Sequence, residues 1–216
     1  MLDTRPISVT YIDHMGDDNT VVNSARVSFN KLSDNYTNEQ NIKLIKYLAK
    51  HEHWSPFAHT SVQFKVMAPI FIARQLVKHQ VGGVWNEVSR RYVSDDISFY
   101  MPTEWRSKPI SSKQGSGNEI IENIDITHFI ETSLNLYNEL LEKNVAPEMA
   151  RMVLPLNLMT EWYWTGSLVF WARVCKLRLD SHAQKENLEV AVPIAETCSR
   201  LFPISWQELM NTKNPA

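Results

Sequence analysis

The sequence predicts a single α+β domain over residues 1–216, with an antiparallel or mixed sheet packed by helices and a helix-rich second half. Three observations lead there. Residues 60–68 alternate: Val62, Phe64, Val66 and Ala68 face one way, Ser61, Gln63, Lys65 and Met67 the other, which is the period of a half-buried strand. Residues 126–143 repeat apolar side chains at helical spacing, with Phe129, Ile130, Leu134, Tyr137, Leu140 and Leu141 on the core face. No internal repeat and no domain linker divides the chain.

The remaining elements follow in chain order. Residues 7–12 are rich in β-branched side chains and predict an early strand. A polar turn at 16–20 leads into the segment 21–29. Thr37 and Gln40 have capping-box spacing and open a helix through about Lys50, with Ile42, Ile45, Leu48 and Ala49 on its apolar side. After the alternating strand, Pro69 stands where a helix can begin, and residues 70–80 continue it until Gly82-Gly83 break it. Residues 106–118 mix Ser, Lys, Gly and Gln without period and predict a mobile loop. Pro147 starts a short helix ending near Pro155, and residues 166–177 predict another. Ser181 with Gln184 repeats the capping-box spacing and opens a last helix, interrupted by Pro193.

Composition narrows the class of function. The 216 residues are 44% hydrophobic and 21% charged, ordinary globular values that exclude a wholly disordered chain. With 22 Lys+Arg against 24 Asp+Glu the net charge is -2, so anion binding must come from local clusters, and neither nucleic acid nor a membrane is an expected partner. Cys175 and Cys198 are too few for a disulfide framework. The first residues, MLDTRPISV, lack the apolar core of a signal peptide. The most apolar stretch, 162–175, is interrupted by Thr165, Gly166 and Arg173 and is too short to span a bilayer. A cytoplasmic protein is expected, in the host cytoplasm if the source is viral.

The chemistry concentrates in residues 73–92, ARQLVKHQVGGVWNEVSRRY. On a helix Arg74 and Lys78 lie one turn apart, as do Gln75 and His79, so the two pairs share a polar face. Gly82-Gly83 allow backbone to approach a ligand closely. In an extended segment Glu87, Ser89 and Arg91 point the same way, with Asn86 and Arg90 alongside. Paired guanidiniums and a hydroxyl next to a carboxylate suit a ligand with a phosphate and a ring offering donors and acceptors. A solvated charged loop after a surface helix accounts for the same spacing. A hydrolase built on Ser89 lacks the G-x-S-x-G elbow.

A second basic constellation comprises Arg151, Arg173, Lys176 and Arg178, followed by Asp180, Ser181, His182 and Gln184. An Arg at a helix end is often only a partner of the helix dipole; its company is what singles Arg178 out. A third cluster holds His51, His53 and His59, but H-x-H-x5-H matches no standard zinc spacing, and no metal is expected.

Together these residues resemble the flavin-dependent thymidylate synthases. The family signature is R-H-R, seven residues, then S-x-R-Y; here it reads Lys78-His79-Gln80, eight residues containing Asn86-Glu87, then Ser89-Arg90-Arg91-Tyr92. Ala25-Arg26-Val27-Ser28-Phe29 resembles an early flavin-contacting segment, and His53-Trp54-Ser55-Pro56-Phe57 the family's H-x-[ST]-P-F loop. Ala150-Arg151, Val153-Leu154-Pro155, Leu177-Arg178 and the run from Asp180 to Gln184 match its later motifs. Two departures stand out: Lys78 and Gln80 replace both arginines, and Ser167-Leu168-Val169-Phe170 occupies the place of an N-A-R-S-type segment.

The resemblance implies a homotetramer with FAD at subunit interfaces, NADPH and 5,10-methylenetetrahydrofolate as cosubstrates, and dTMP made from dUMP without a cysteine nucleophile. By the same resemblance Arg178 is catalytic, placed against the uracil edge to favour ionisation at N3. Gln75, Lys78, Glu87, Ser89, Arg90, Arg91 and Arg151 would hold dUMP with it. Ser28, Ser55, Lys78, His79, Gln80, Glu87, Ser167 and Arg173 would contact FAD. Two other readings use the same residues. One is a flavoprotein that oxidises NADPH but has lost methyl transfer; the other is a non-catalytic nucleic-acid-binding module using Trp85, Arg90, Arg91 and Tyr92.

Overall fold

A computed structural model describes residues 2–93, 96–110 and 115–212. Its elements run β1 (Ser8–Met15), α1 (Asp18–Arg26), α2 (Asn38–Lys50), β2 (Ser61–Pro69), α3 (Ile70–Leu76), β3 (Gly83–Glu87), β4 (Trp105–Arg106) and β5 (Ile120–Ile121). They continue with α4 (Thr127–Glu142), α5 (Pro147–Ala150), β6 (Met159–Gly166), α6 (Leu168–Arg178), α7 (Lys185–Leu201) and α8 (Pro203–Asn211). Short 3-10 turns lie at Val27–Phe29, Ser33–Asn35, Ser55–His59 and Arg151–Val153.

The main sheet has the order β1-β2-β6-β3 and every pairing in it is antiparallel, which settles the expected sheet as antiparallel rather than mixed. In β2 the apolar set Val62, Phe64, Val66 and Ala68 is fully buried, as the alternation predicts. Opposite it on β6, Phe64 faces Trp164 and Val66 faces Trp162, so aromatic–aromatic and aromatic–β-branched pairs meet across the two central strands. Trp85 of β3 stacks on Trp162 with ring centres 4.1 Å apart. From α6, Trp171 meets Phe64 and Trp164 edge-on and donates its indole N–H to the Val62 carbonyl at 3.1 Å. The other face carries Lys65 and Glu161, ion-paired at 2.9 Å and partly exposed. A second, smaller core gathers Phe99, Ile130 and Leu158 beneath α4.

Several expectations hold and others need correction. Thr37 caps α2 with Gln40 as the reciprocal partner, and β1 begins one residue after its expected start. The helix expected over 70–80 ends at Leu76. The Gln75 carbonyl, which a continuing helix would offer to the His79 N–H, accepts instead from Arg178 Nη2 at 3.2 Å, while the His79 N–H turns to Leu76 at 3.0 Å. A tertiary contact has replaced a helical bond. The extended run expected to align Glu87, Ser89 and Arg91 stops at Glu87; Tyr92 and Val93 both donate back to the Ser89 carbonyl, so these side chains do not share a face.

Arg106 does not begin a mobile loop. It lies on β4, donates to Ser116 Oγ at 2.9 Å, and pairs with the buried carboxylate of Glu186; residues 111–114 of the expected loop lie outside the described residues. On α4 the exposed edge position is Phe129, and Ser133 takes the buried place beside Ile130 and Tyr137. Ser181 is not a cap: α7 starts at Lys185, and Ser181 Oγ contacts His182 Nδ1. Nor does Pro193 interrupt that helix, since the bond it removes falls at exposed Glu189; the break comes at Phe202, before Pro203. The central strand β6 is missing from the sequence reading altogether.

Candidate active site

The groups that gather around Arg178 come from three elements. Arg178 ends α6, Gln75 lies in the last turn of α3, and His79 follows that helix in the turn toward β3. Arg178 Nε donates to His79 Nε2 at 3.0 Å, and its Nη2 donates to the Gln75 carbonyl. Arginine has no acceptor, so His79 receives this bond on an unprotonated Nε2 and carries its proton on Nδ1. Both partners of Arg178 among the described residues are uncharged. A half-buried cation therefore has its charge uncompensated, and burial pulls its pKa below the usual value without discharging it.

Burial, then the neighbouring guanidinium, pushes His79 down to about 4. Its pKa is depressed, so the unfolded chain takes up a proton before the folded one does as pH falls. Stability from this group is complete above the ordinary histidine value near 6.5 and is lost as pH falls toward 4. Solvent screening of the half-exposed ring reduces the effect to about 1–2 kcal/mol. Urea unfolding at pH 7 and pH 5 should show this loss in the natural chain and a smaller one in His79→Asn; equal losses would contradict the assignment.

Lys78, His79, Gln80 and Val81 form one wall of an open cleft of about 330 Å³, and Phe170, Arg173 and Leu177 form the other. The turn above it needs its glycines. Gly82 has φ +88, and Gly83 pairs with Gly166 across β3 and β6 so that the Phe170 ring can lie over both. Ser167 caps α6, its Oγ accepting from the Phe170 N–H at 3.3 Å, and donates its own N–H to the Gly82 carbonyl at 3.2 Å. On its other side Arg173 borders a second pocket with His53, Trp54 and Phe57, which brings the 3-10 turn holding Ser55 to the same region.

Thus Gln75, His79 and Arg178 are joined directly, and Lys78, Gln80, Arg173 and Ser167 border the same cleft or its rim. The remaining candidates lie apart in this chain. Glu87 accepts from Thr160 Oγ1 at 2.7 Å and from Trp85 Nε1 at 3.1 Å. Ser89 Oγ accepts from the Arg91 N–H, Arg91 reaches the Tyr92 hydroxyl at 2.7 Å, and Arg90 donates to the Asp96 carbonyl. Arg151 bonds the Glu148 carbonyl between exposed Met149 and Met152, and Ser28 lies between exposed Val27 and Phe29. Cys175 and Cys198 are buried, and burial raises both thiols well above the neutral range, so neither is a nucleophile. Among the described residues no three His, Cys, Asp or Glu side chains gather as a metal site; Tyr47 packs against His51 instead, with ring centres 4.3 Å apart.

Sequence reasoning missed Asn187, Glu186 and Arg106 near this site. Asn187 is fully buried and Glu186 nearly so, on the stripe of α7 that also holds Val190, Ala191, Ile194 and Cys198. A polar pair at the head of an apolar stripe was the available signal.

The fold matches that of a solved nucleotide-methylating enzyme. A solved structure with the same architecture is a UMP/dUMP methylase, PolB from Streptomyces cacaoi, bound with 5-Br dUMP: TM-score 0.83, 29% identity, 96% of both chains covered. A family model described as thymidylate synthase complementing protein matches residues 10–204, and the chain belongs to that family. Its relatives include the flavin-dependent thymidylate synthase of Thermus thermophilus, 41% identical over 201 residues, covering 92% of this chain and 73% of the relative. That of Thermotoga neapolitana is 40% identical over 200 residues, covering 92% and 88%. Among the described residues no helix is long and apolar enough to cross a membrane.

Proposed function

We propose that this chain, acting as one domain over 1–216, makes dTMP from dUMP on a bound FAD, in the cytoplasm. Methylenetetrahydrofolate gives the new carbon and NADPH the hydride; the C5 hydrogen of the uracil leaves as a proton. FAD, when bound, supplies the redox chemistry that no side chain here can. The carrying observation is Arg178, a half-buried cation whose partners among the described residues are uncharged. Against a uracil edge it stabilises negative charge developing at N3, which is where a fixed cation lowers the barrier most.

Gln75, Lys78, Glu87, Ser89, Arg90, Arg91 and Arg151 hold the nucleotide in this reading, the basic groups and Ser89 nearest its phosphate. Ser28, Ser55, Lys78, His79, Gln80, Glu87, Ser167 and Arg173 hold the flavin. The cleft fits part of such a group, with an apolar wall at Phe170 and Leu177 and cations at Lys78 and Arg173. Arg151, Arg91 and Ser28 lie beside the exposed apolar side chains Met152, Tyr92 and Phe29, which supports a site completed by other copies of the chain in a homotetramer. Lys78 keeps a positive charge where the family has arginine, while Gln80 keeps none.

The test is direct. Protein mixed with FAD and freed of excess should keep a flavin absorption spectrum, and adding dUMP, methylenetetrahydrofolate and NADPH should yield dTMP. NADPH oxidation with bound flavin but no dTMP would replace this reading with the simpler flavoprotein.

A further inference from the structure

Arg178 is held by Gln75, and Gln75 is itself held from α7. The Gln75 side-chain amide is gripped at both ends: its Nε2 donates to Gln184 Oε1 at 2.6 Å, and its Oε1 accepts from Asn187 Nδ2 at 2.9 Å. Asn187 has no solvent exposure, and Gln184 is half-buried at the head of α7. One residue therefore carries two loads, since the backbone carbonyl of Gln75 receives Arg178 while its amide is fixed by α7. Between Gln184 and Asn187, Glu186 pairs with Arg106 of β4 and anchors the start of α7 to the hairpin β4-β5.

We propose that Gln184 and Asn187 are positioning residues for dUMP binding: they set the orientation of the Gln75 amide and the place of the Gln75 carbonyl that holds Arg178. Neither touches the nucleotide. Opposed amides specify a direction as well as a distance, because a reversed Gln75 amide alone would set oxygen against oxygen and N–H₂ against N–H₂. An unsupported site loses its substrate geometry before it loses its fold. The inference rests on the reading of Gln75 and Arg178 as substrate-binding residues.

The experiment is a double-mutant cycle read by calorimetric titration of the FAD-loaded enzyme with dUMP, with the thermal midpoint of every variant measured alongside. Asn187→Leu keeps the approximate size and removes the donor; Gln184→Met keeps the length and removes the acceptor. Each should weaken dUMP binding about tenfold in a folded protein. In a Gln75→Ala background, itself weakened, the same substitutions should have no further effect. Should Asn187→Leu fail to fold, Gln184→Met at its half-buried position carries the test. Unchanged dUMP affinity in the folded variants, or effects that add in full to Gln75→Ala, overturn the proposal. Normal dUMP affinity in Gln75→Ala overturns the substrate reading of Gln75 and the proposal with it.

Discussion

Arg178→Ala should lower dUMP-dependent dTMP formation by about a hundredfold to a thousandfold, the range for removing one preorganised electrostatic group from an active site. The fold should survive, because Arg178 lies at the end of α6 and the buried residues of that helix, Trp171, Val174 and Cys175, are untouched. The thermal midpoint tests this separately from turnover. Arg178→Lys restores the charge but not the fork that reaches His79 and the Gln75 carbonyl together, so it should recover only part of the activity. Full turnover in Arg178→Ala would remove the cation from the mechanism.

Gly166→Ala should be the most damaging single-methyl change in the sheet. A Cβ at Gly166 would stand 2.1 Å from Cδ1 of Phe170, and one at the paired Gly83 would stand 2.5 Å from Cζ of the same ring. Phe170 is buried against Trp164 and Trp171, so the ring can yield only toward the cleft it walls. The cost of such overpacking is about 2–3 kcal/mol. It also reaches function, since Phe170 walls the cleft and sits on the helix that delivers Arg173 and Arg178. Urea denaturation should give a lower midpoint for Gly166→Ala, and Phe170→Leu in that background should restore part of it. An unchanged midpoint would show that the ring moves aside freely.

Where local signals and tertiary demands agreed, the fold was legible. The alternation in 60–68 gave β2, and Thr37 with Gln40 gave the start of α2. β6 obeys the same two-residue period, with Trp162, Trp164 and Gly166 inward, but three aromatics within three consecutive residues hid it inside a longer apolar run. The end of α3 was not legible at all, because one of its last carbonyls, that of Gln75, is claimed by a side chain on α6 more than ninety residues away in sequence. The spacing of Ser181 and Gln184 fits a capping box, yet the Gln184 side chain is committed to Gln75. Individual site residues were visible as residue types; the bond from Arg178 to His79 was not, since no period or spacing encodes it.

The strand order has a consequence for how the chain is made. β2 and β3 both take β6 as partner, and β6 follows β2 by on the order of a hundred residues, a separation that slows folding by the entropy of closing so long a loop. A ribosome adding about 5–20 residues per second leaves the free edge of β2 waiting roughly 5–20 s after it emerges. Throughout that interval the nascent chain offers Val62, Phe64 and Val66 beside unpaired backbone groups, an invitation to mispairing that a folding helper would have to cover. A message cut short before Gly166 would yield a chain prone to aggregate rather than a smaller enzyme.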